Sequence, residues 1–107
     1  MGRLEKQRIS GRLQQLAANL TVPVITGTPT VGQTLTATDG TWSAFPAVAF
    51  TRQWFWADTS AARAGATSAT YVLVAGDATH TIKCTVTATN HLGSTAASSA
   101  NTAAVAV

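Results

Sequence analysis

The sequence predicts an all-β fold, an antiparallel sandwich led by a short helical arm. Three observations carry that expectation. From residue 22 onward, short alternating segments are separated by turn signals about every 8–12 residues, the pattern of an antiparallel sandwich. Charged residues make up only 10% of the chain, and Thr and Ala fill their place; Thr suits strands without being greasy. The formal charge of +3 is unevenly placed. Residues 1–20 carry Arg3, Lys6, Arg8 and Arg12 against Glu5, whereas Arg52, Arg63 and Lys83 are balanced by Asp39, Asp58 and Asp77. The chain therefore divides into a basic arm over 1–21 and a neutral body over 22–107, and long-range attraction to a partner belongs to the arm.

The arm reads as an amphipathic helix. Leu4, Ile9, Leu13, Leu16 and Leu20 recur near the ~3.6-residue helical period, among helix-forming Gln, Lys, Arg and Ala. Gly11 is its weak point, at a cost of about 1 kcal/mol, and Ser10 is placed to cap a second segment. An isolated helix of this length is marginal in water, so its stripe needs burial, either against the body or on another chain, and the localised charge favours another chain. Its scattered leucines form no continuous apolar stretch like that of a secretory signal, so the chain is expected to stay at first in the compartment where it is made. No apolar run approaches the ~20 residues of a spanning helix.

The body follows in short strands. Val22–Thr26 contains Pro23, which confines it to an edge. Gln33–Thr38 alternates with Leu35 and Ala37 on one face, and Asp39-Gly40 is a strong turn before Thr41-Trp42-Ser43. In Val48–Trp56, Phe50, Arg52, Trp54 and Trp56 share a parity; Trp54 is the best core candidate, and Arg52 beside it is a tension that a bulge or sheet edge would resolve. Asp58–Gly65 is a polar loop or short strand. Thr70–Val74 places Tyr71 and Leu73 together, and Ala75–Thr79 forms a corner. Thr81–Asn90 has the cleanest alternation, with Ile82, Cys84, Val86 and Ala88 inward. A loop at Asn90–Gly93 leads to a last strand over 95–107.

No catalytic constellation is legible. His80 and His91 fall on a corner and a loop, and Asp77 with His80 supplies too few ligands for a metal; a corner hydrogen bond is the favoured role. Cys84, the single cysteine, permits no internal bridge and is expected to be buried and inert beside Trp54. No phosphate-binding glycine loop is present. Trp42, Phe55 and Trp56 are read first as packing and second as an exposed patch for sugar or protein. The arm has cations for phosphates but an apolar stripe and no aromatics for stacking, so nucleic acid is not the expected partner. No cofactor, metal site or catalytic residue is expected.

With these elements placed, residues 22–107 resemble an immunoglobulin-like domain of the bacterial and phage type. The resemblance runs through Ile25-Thr26-Gly27-Thr28-Pro29-Thr30-Val31-Gly32-Gln33-Thr34-Leu35-Thr36-Ala37, Gly40-Thr41-Trp42, Gln53-Trp54, Ala64–Tyr71, His80–Cys84, Val86–Asn90 and Gly93-Ser94. It implies an immunoglobulin-like antiparallel β-sandwich in which Leu35 faces Cys84 where antibody domains have a disulfide. Ile82 occupies the place of their corner tyrosine, so the corner bond falls to Asp77 or His80. Such modules occur in adhesins, secreted enzymes and phage particles, so the resemblance is specific for fold and not for function.

A short anchor joined to one such domain resembles the capsid decoration proteins of tailed phages. That implies a non-enzymatic virion structural protein, made in the host cytoplasm and displayed on the particle exterior. Arg3, Leu4, Lys6, Arg8, Ile9, Arg12, Leu13 and Leu16 would bind the major capsid protein or another virion protein. Two alternatives stand beside it. One is a tail, collar or fibre component whose arms self-associate into a homo-oligomer. The other is a carbohydrate-binding or adhesin module, with weak binding of host-surface glycans.

Overall fold

The computed structural model describes residues 8–9 and 12–107, with side chains from residue 14. The chain is all-β, and its named strand pairs are antiparallel. Strands β1 (Arg8–Ile9) and β2 (Arg12–Leu13) pair with each other. β3 (Gln15–Thr21) pairs with β6 (Thr41–Phe45). β4 (Ile25–Thr26), β5 (Thr34–Ala37) and β9 (Thr70–Val72) form a sheet in the order β4-β5-β9. β7 (Ala49–Trp56), β8 (Ala61–Ala62), β10 (Ile82–Asn90) and β11 (Gly93–Ser98) form another, in the order β11-β10-β7-β8.

Alternation builds the core. Ile82, Cys84, Val86 and Ala88 on β10 are wholly buried, as is Trp54, the register partner of Cys84 on β7. Leu35 and Ala37 from β5, with Leu73 and Val105, complete the apolar centre between the two larger sheets. Tyr71 stacks on Trp54 at 5.6 Å, and the indole Nε1 donates to Ser68 O at 2.7 Å, so the buried ring leaves no unsatisfied donor.

Three departures from the sequence reading have identifiable causes. The helical arm anticipated over residues 1–20 is not helical where the chain is described: residues 8–9, 12–13 and 15–20 are strand, Gln14 is in no regular element, and residues 1–7 and 10–11 lie outside the described residues. Helix propensity there, a few tenths of a kcal/mol per residue, loses to tertiary pairing with β6. The anticipated last strand ends at Ser98. Beyond it, the Ser99 and Thr102 hydroxyls accept from Cys84 N and Ile82 N, and Ala106 forms a parallel bridge with Thr30. The corner at Ala75–Asp77 is one turn of 3-10 helix.

Arg52 keeps its place on the Trp54 side because its guanidinium meets Asp39, with Nε 2.8 Å and Nη2 2.6 Å from Oδ1. That contact also fixes the Asp39-Gly40 turn. Gly40 sits at φ +77°, and a Cβ there would collide with the Thr21 carbonyl. Only glycine lets the turn lie so close to β3.

Candidate functional site

The anticipated attachment residues fall unevenly on this frame. Arg3, Leu4 and Lys6 lie outside the described residues. Arg8 and Ile9 are on β1, opposite Leu13 and Arg12 on β2. Leu16 is on β3, 44% exposed, with its Cδ1 directed toward Gly93 in the β10–β11 turn.

β3 is held from both sides by polar contacts that no local pattern announces. On the β6 side, Asn19 Nδ2 donates to the carbonyls of Thr21 and Thr41, the Thr21 and Thr41 hydroxyls pair at 2.8 Å, and Ser43 Oγ donates to Gln15 Oε1. From the β10–β11 hairpin, Asn90 Nδ2 donates to Gln15 O at 2.9 Å and Thr95 Oγ1 to Ala17 O at 2.7 Å. His91 Nε2 lies 2.8 Å from Gln14 Oε1. The strand that leads in from the basic segment is thereby fastened to the body, while Leu16 and Leu20 stay in solvent.

The body's charges are matched internally. Arg52 pairs with Asp39, Arg63 Nε lies 3.4 Å from Asp77 Oδ1, and His80 Nδ1 lies 2.9 Å from Asp58 Oδ2. Lys83 Nζ sits 5.5 Å from the centre of the Phe55 ring, within cation–π range. The body thus presents little net field, and the chain's excess positive charge stays with its first residues.

The densest polar cluster surrounds Asp77. Its carboxylate is fully buried and accepts from Trp56 Nε1 at 2.8 Å, from the Tyr71 hydroxyl at 2.9 and 3.0 Å, and from Val74 N at 2.9 Å. Burial pushes the Tyr71 hydroxyl above its ordinary value; the Arg63 contact opposes the shift and Asp77 adds to it. The short β7–β8 turn carries Arg63 back over Trp56, its Cζ 4.1 Å from the ring centre. His80 stacks on Trp56 with ring centres 3.7 Å apart and planes 5° from parallel. Guanidinium, indole and imidazole form one stack that joins β7, the loop after β8 and the corner before β10. The corner bond expected of Asp77 or His80 is made mainly by the Asp77 carboxylate, with His80 N donating to Asp77 O at 3.0 Å.

Both oxygens of the Asp77 carboxylate are engaged by protein donors. Among the described residues, no group of three or more His, Cys, Asp or Glu side chains is placed to hold a metal ion. Burial lifts the Cys84 thiol from 9.0 to about 11, so near neutral pH it is a protonated packing group. Trp42, Phe55 and Trp56 do not converge. Trp42 tilts against Phe50 and donates Nε1 to Asp39 O, Phe55 lies beneath Lys83, and Trp56 is covered on both faces. Among the described residues, no helix is long and apolar enough to cross a membrane.

In comparison with known proteins, the chain matches no family model, and no curated protein or solved structure is significantly similar to it.

Proposed function

We propose that the chain is a non-enzymatic virion structural protein: a capsid decoration protein attached to the shell through its N-terminal segment. Its β body, read as an immunoglobulin-like sandwich, projects from the particle. One observation carries this above the alternatives. The whole excess charge precedes β3, and β3 exposes Leu16 and Leu20 on a body whose own acids are already paired. Cations and apolar side chains that adjoin in sequence suit attachment to a protein surface; a self-contained neutral body suits display. The proposed anchor is the set Arg3, Leu4, Lys6, Arg8, Ile9, Arg12, Leu13 and Leu16, and its partner is the major capsid protein or another protein of the shell. The phage-type resemblance of residues 22–107 supports the same assignment.

The test replaces Arg3, Lys6, Arg8 and Arg12 with Gln in the full chain, which leaves Gln15–Thr21 to complete its sheet. Cosedimentation with virion particles grown without the chain should fall at least tenfold, and wild-type binding should weaken steeply with added salt. Unchanged, salt-insensitive binding would remove these residues from the anchor. A stable trimer of the free protein would favour the tail, collar or fibre assignment instead.

A further inference from the structure

β3 is held to the body by its edges rather than by the core. Of its seven residues only Ala17 is buried, and Leu16 and Leu20 stand in solvent. No β3 side chain belongs to the apolar centre around Trp54. Its ladder with β6 is interrupted between Gln15 and Ala18 and again between Asn19 and Thr21. The side-chain bonds that Asn19, Thr21, Asn90 and His91 make along it are exposed to water, which replaces such bonds at little net cost. The elements on either side are held differently. β6 reaches the core through Trp42, which packs against the apolar centre and donates Nε1 to Asp39 O at 2.7 Å. Downstream, Pro23 is fully buried, Val24 N donates to Thr38 Oγ1 at 3.0 Å, and Val24 O accepts from Thr38 N at 2.9 Å. Firm attachment of the chain therefore begins at Pro23, and the exposed Val22 is the joint between the two regimes.

We infer that β3 is a strap: it detaches from β6 and from the β10–β11 hairpin as one unit, pivoting at Val22, while the sandwich around Trp54 stays folded. Segments with few buried apolar contacts and solvent-exposed hydrogen bonds open below the free energy of global unfolding. The strap opens as a unit because its two ends share one short strand. Asn90 and Thr95 hold Gln15 and Ala17, while Asn19 and Thr21 hold Thr41. The interrupted ladder between them does not keep one end seated once the other is free. Release adds seven extended residues, roughly 23 Å at ~3.3 Å per residue, to the reach of the N-terminal segment. That consequence for attachment rests on the role proposed above; the opening itself rests on the contacts of β3 alone.

The experiment uses the full, free chain carrying Ala17→Cys, a small change at the one buried side chain of the strap. Cys84, wholly buried in the core, is the internal reference for global unfolding. Both thiols are labelled with a disulfide reagent without denaturant and resolved by peptide mass spectrometry. The introduced thiol should react at least ~100-fold faster than Cys84, and tryptophan fluorescence should stay native after it has reacted. Ile82→Val, a small core cavity far from β3, should speed Cys84 about fivefold and leave the strap thiol unchanged, because the opening keeps the core intact. Thr95→Val removes the bond to Ala17 O and should speed the strap thiol about fivefold. Equal rates for the two thiols, or equal acceleration of both by Ile82→Val, would mean that β3 leaves only when the whole domain unfolds, and would overturn the inference. Fast labelling that Thr95→Val does not change would mean that the thiol is reached without opening, and would overturn it too. If Ala17→Cys does not fold, native-state hydrogen exchange of the wild-type chain carries the test. Thr41 N–H, which donates to Thr21 Oγ1, should then exchange with a shallow urea dependence, while the Cys84 and Val86 amides follow the steep global slope. One common slope overturns the strap. Particle binding enters none of these readouts, so the strap and the anchor stand or fall separately.

Discussion

Removing the Asp77 carboxylate is the most informative perturbation of the body. In Asp77→Ala, Trp56 Nε1, the Tyr71 hydroxyl and Val74 N lose their acceptor at once, and Arg63 loses its counter-charge. Each donor stranded in a buried site costs about 1–3 kcal/mol. Tyr71 and Trp56 are only half-buried, so water relieves part of that cost and the lower end applies to them. The sum is about 3–5 kcal/mol, the range for breaking a buried pair from one side. Against a total of about 5–13 kcal/mol for a domain of this size, that is a large fraction. Asp77→Asn retains one carbonyl acceptor but turns an NH2 toward a donor and drops the charge, for a loss of about 2 kcal/mol. Tyr71→Phe removes one donor and leaves the others, at about 1 kcal/mol. Urea unfolding followed by tryptophan fluorescence gives all three, with shifts in midpoint at constant slope. Losses below about 0.5 kcal/mol for both Asp77 variants would refute the assignment of this carboxylate as the clasp of the corner.

Four further outcomes follow from the same geometry. Because the folded Cys84 thiol titrates near 11 rather than 9.0, the native state holds its proton after the unfolded chain has lost it. Stability should be fully present below pH 9 and decline by about 2–3 kcal/mol as pH rises through 11, a slope that Cys84→Ala flattens in urea titrations. The thiol should resist a disulfide reagent at pH 8 in the native protein and react on unfolding. Gly40→Ala should cost about 2 kcal/mol or more by thermal melting, since it meets both a positive φ and the Thr21 carbonyl. Thr79→Gly should stabilise by about 0.5–1 kcal/mol in the same assay, because an exposed β-branched residue is held at φ +73°.

The parts of the fold legible in the sequence are those whose partners lie nearby or whose pattern has one period. Ile82, Cys84, Val86 and Ala88 can be read inward because strict alternation over nine residues fits nothing but a strand. Trp54 and the Asp39-Gly40 turn were legible for similar local reasons. β3 was not. Leu16 and Leu20 are four apart, which satisfies both a helical stripe and one parity of a strand, and Gln14 and Gln15 before them with Ala17 and Ala18 between them tilt the choice toward helix. What decides it is β6 on one side and Asn90 and Thr95 on the other, the latter pair some 75 residues downstream. The Arg63–Trp56–His80 stack was hidden for the same reason: its members come from three separate segments, and the short β8 pairing that folds Arg63 back has almost no sequence signal. Arg52 looked misplaced among core residues until Asp39, across a turn and a strand, supplied its counter-charge.

A mass-spectrometric census of salt-washed, purified virions addresses the central claim most directly. Attachment to the shell predicts this chain in a fixed, high ratio to the major capsid protein, released when Arg3, Lys6, Arg8 and Arg12 are replaced. Its absence from the particles, or its presence in a handful of copies that fractionate with tails, would contradict the account.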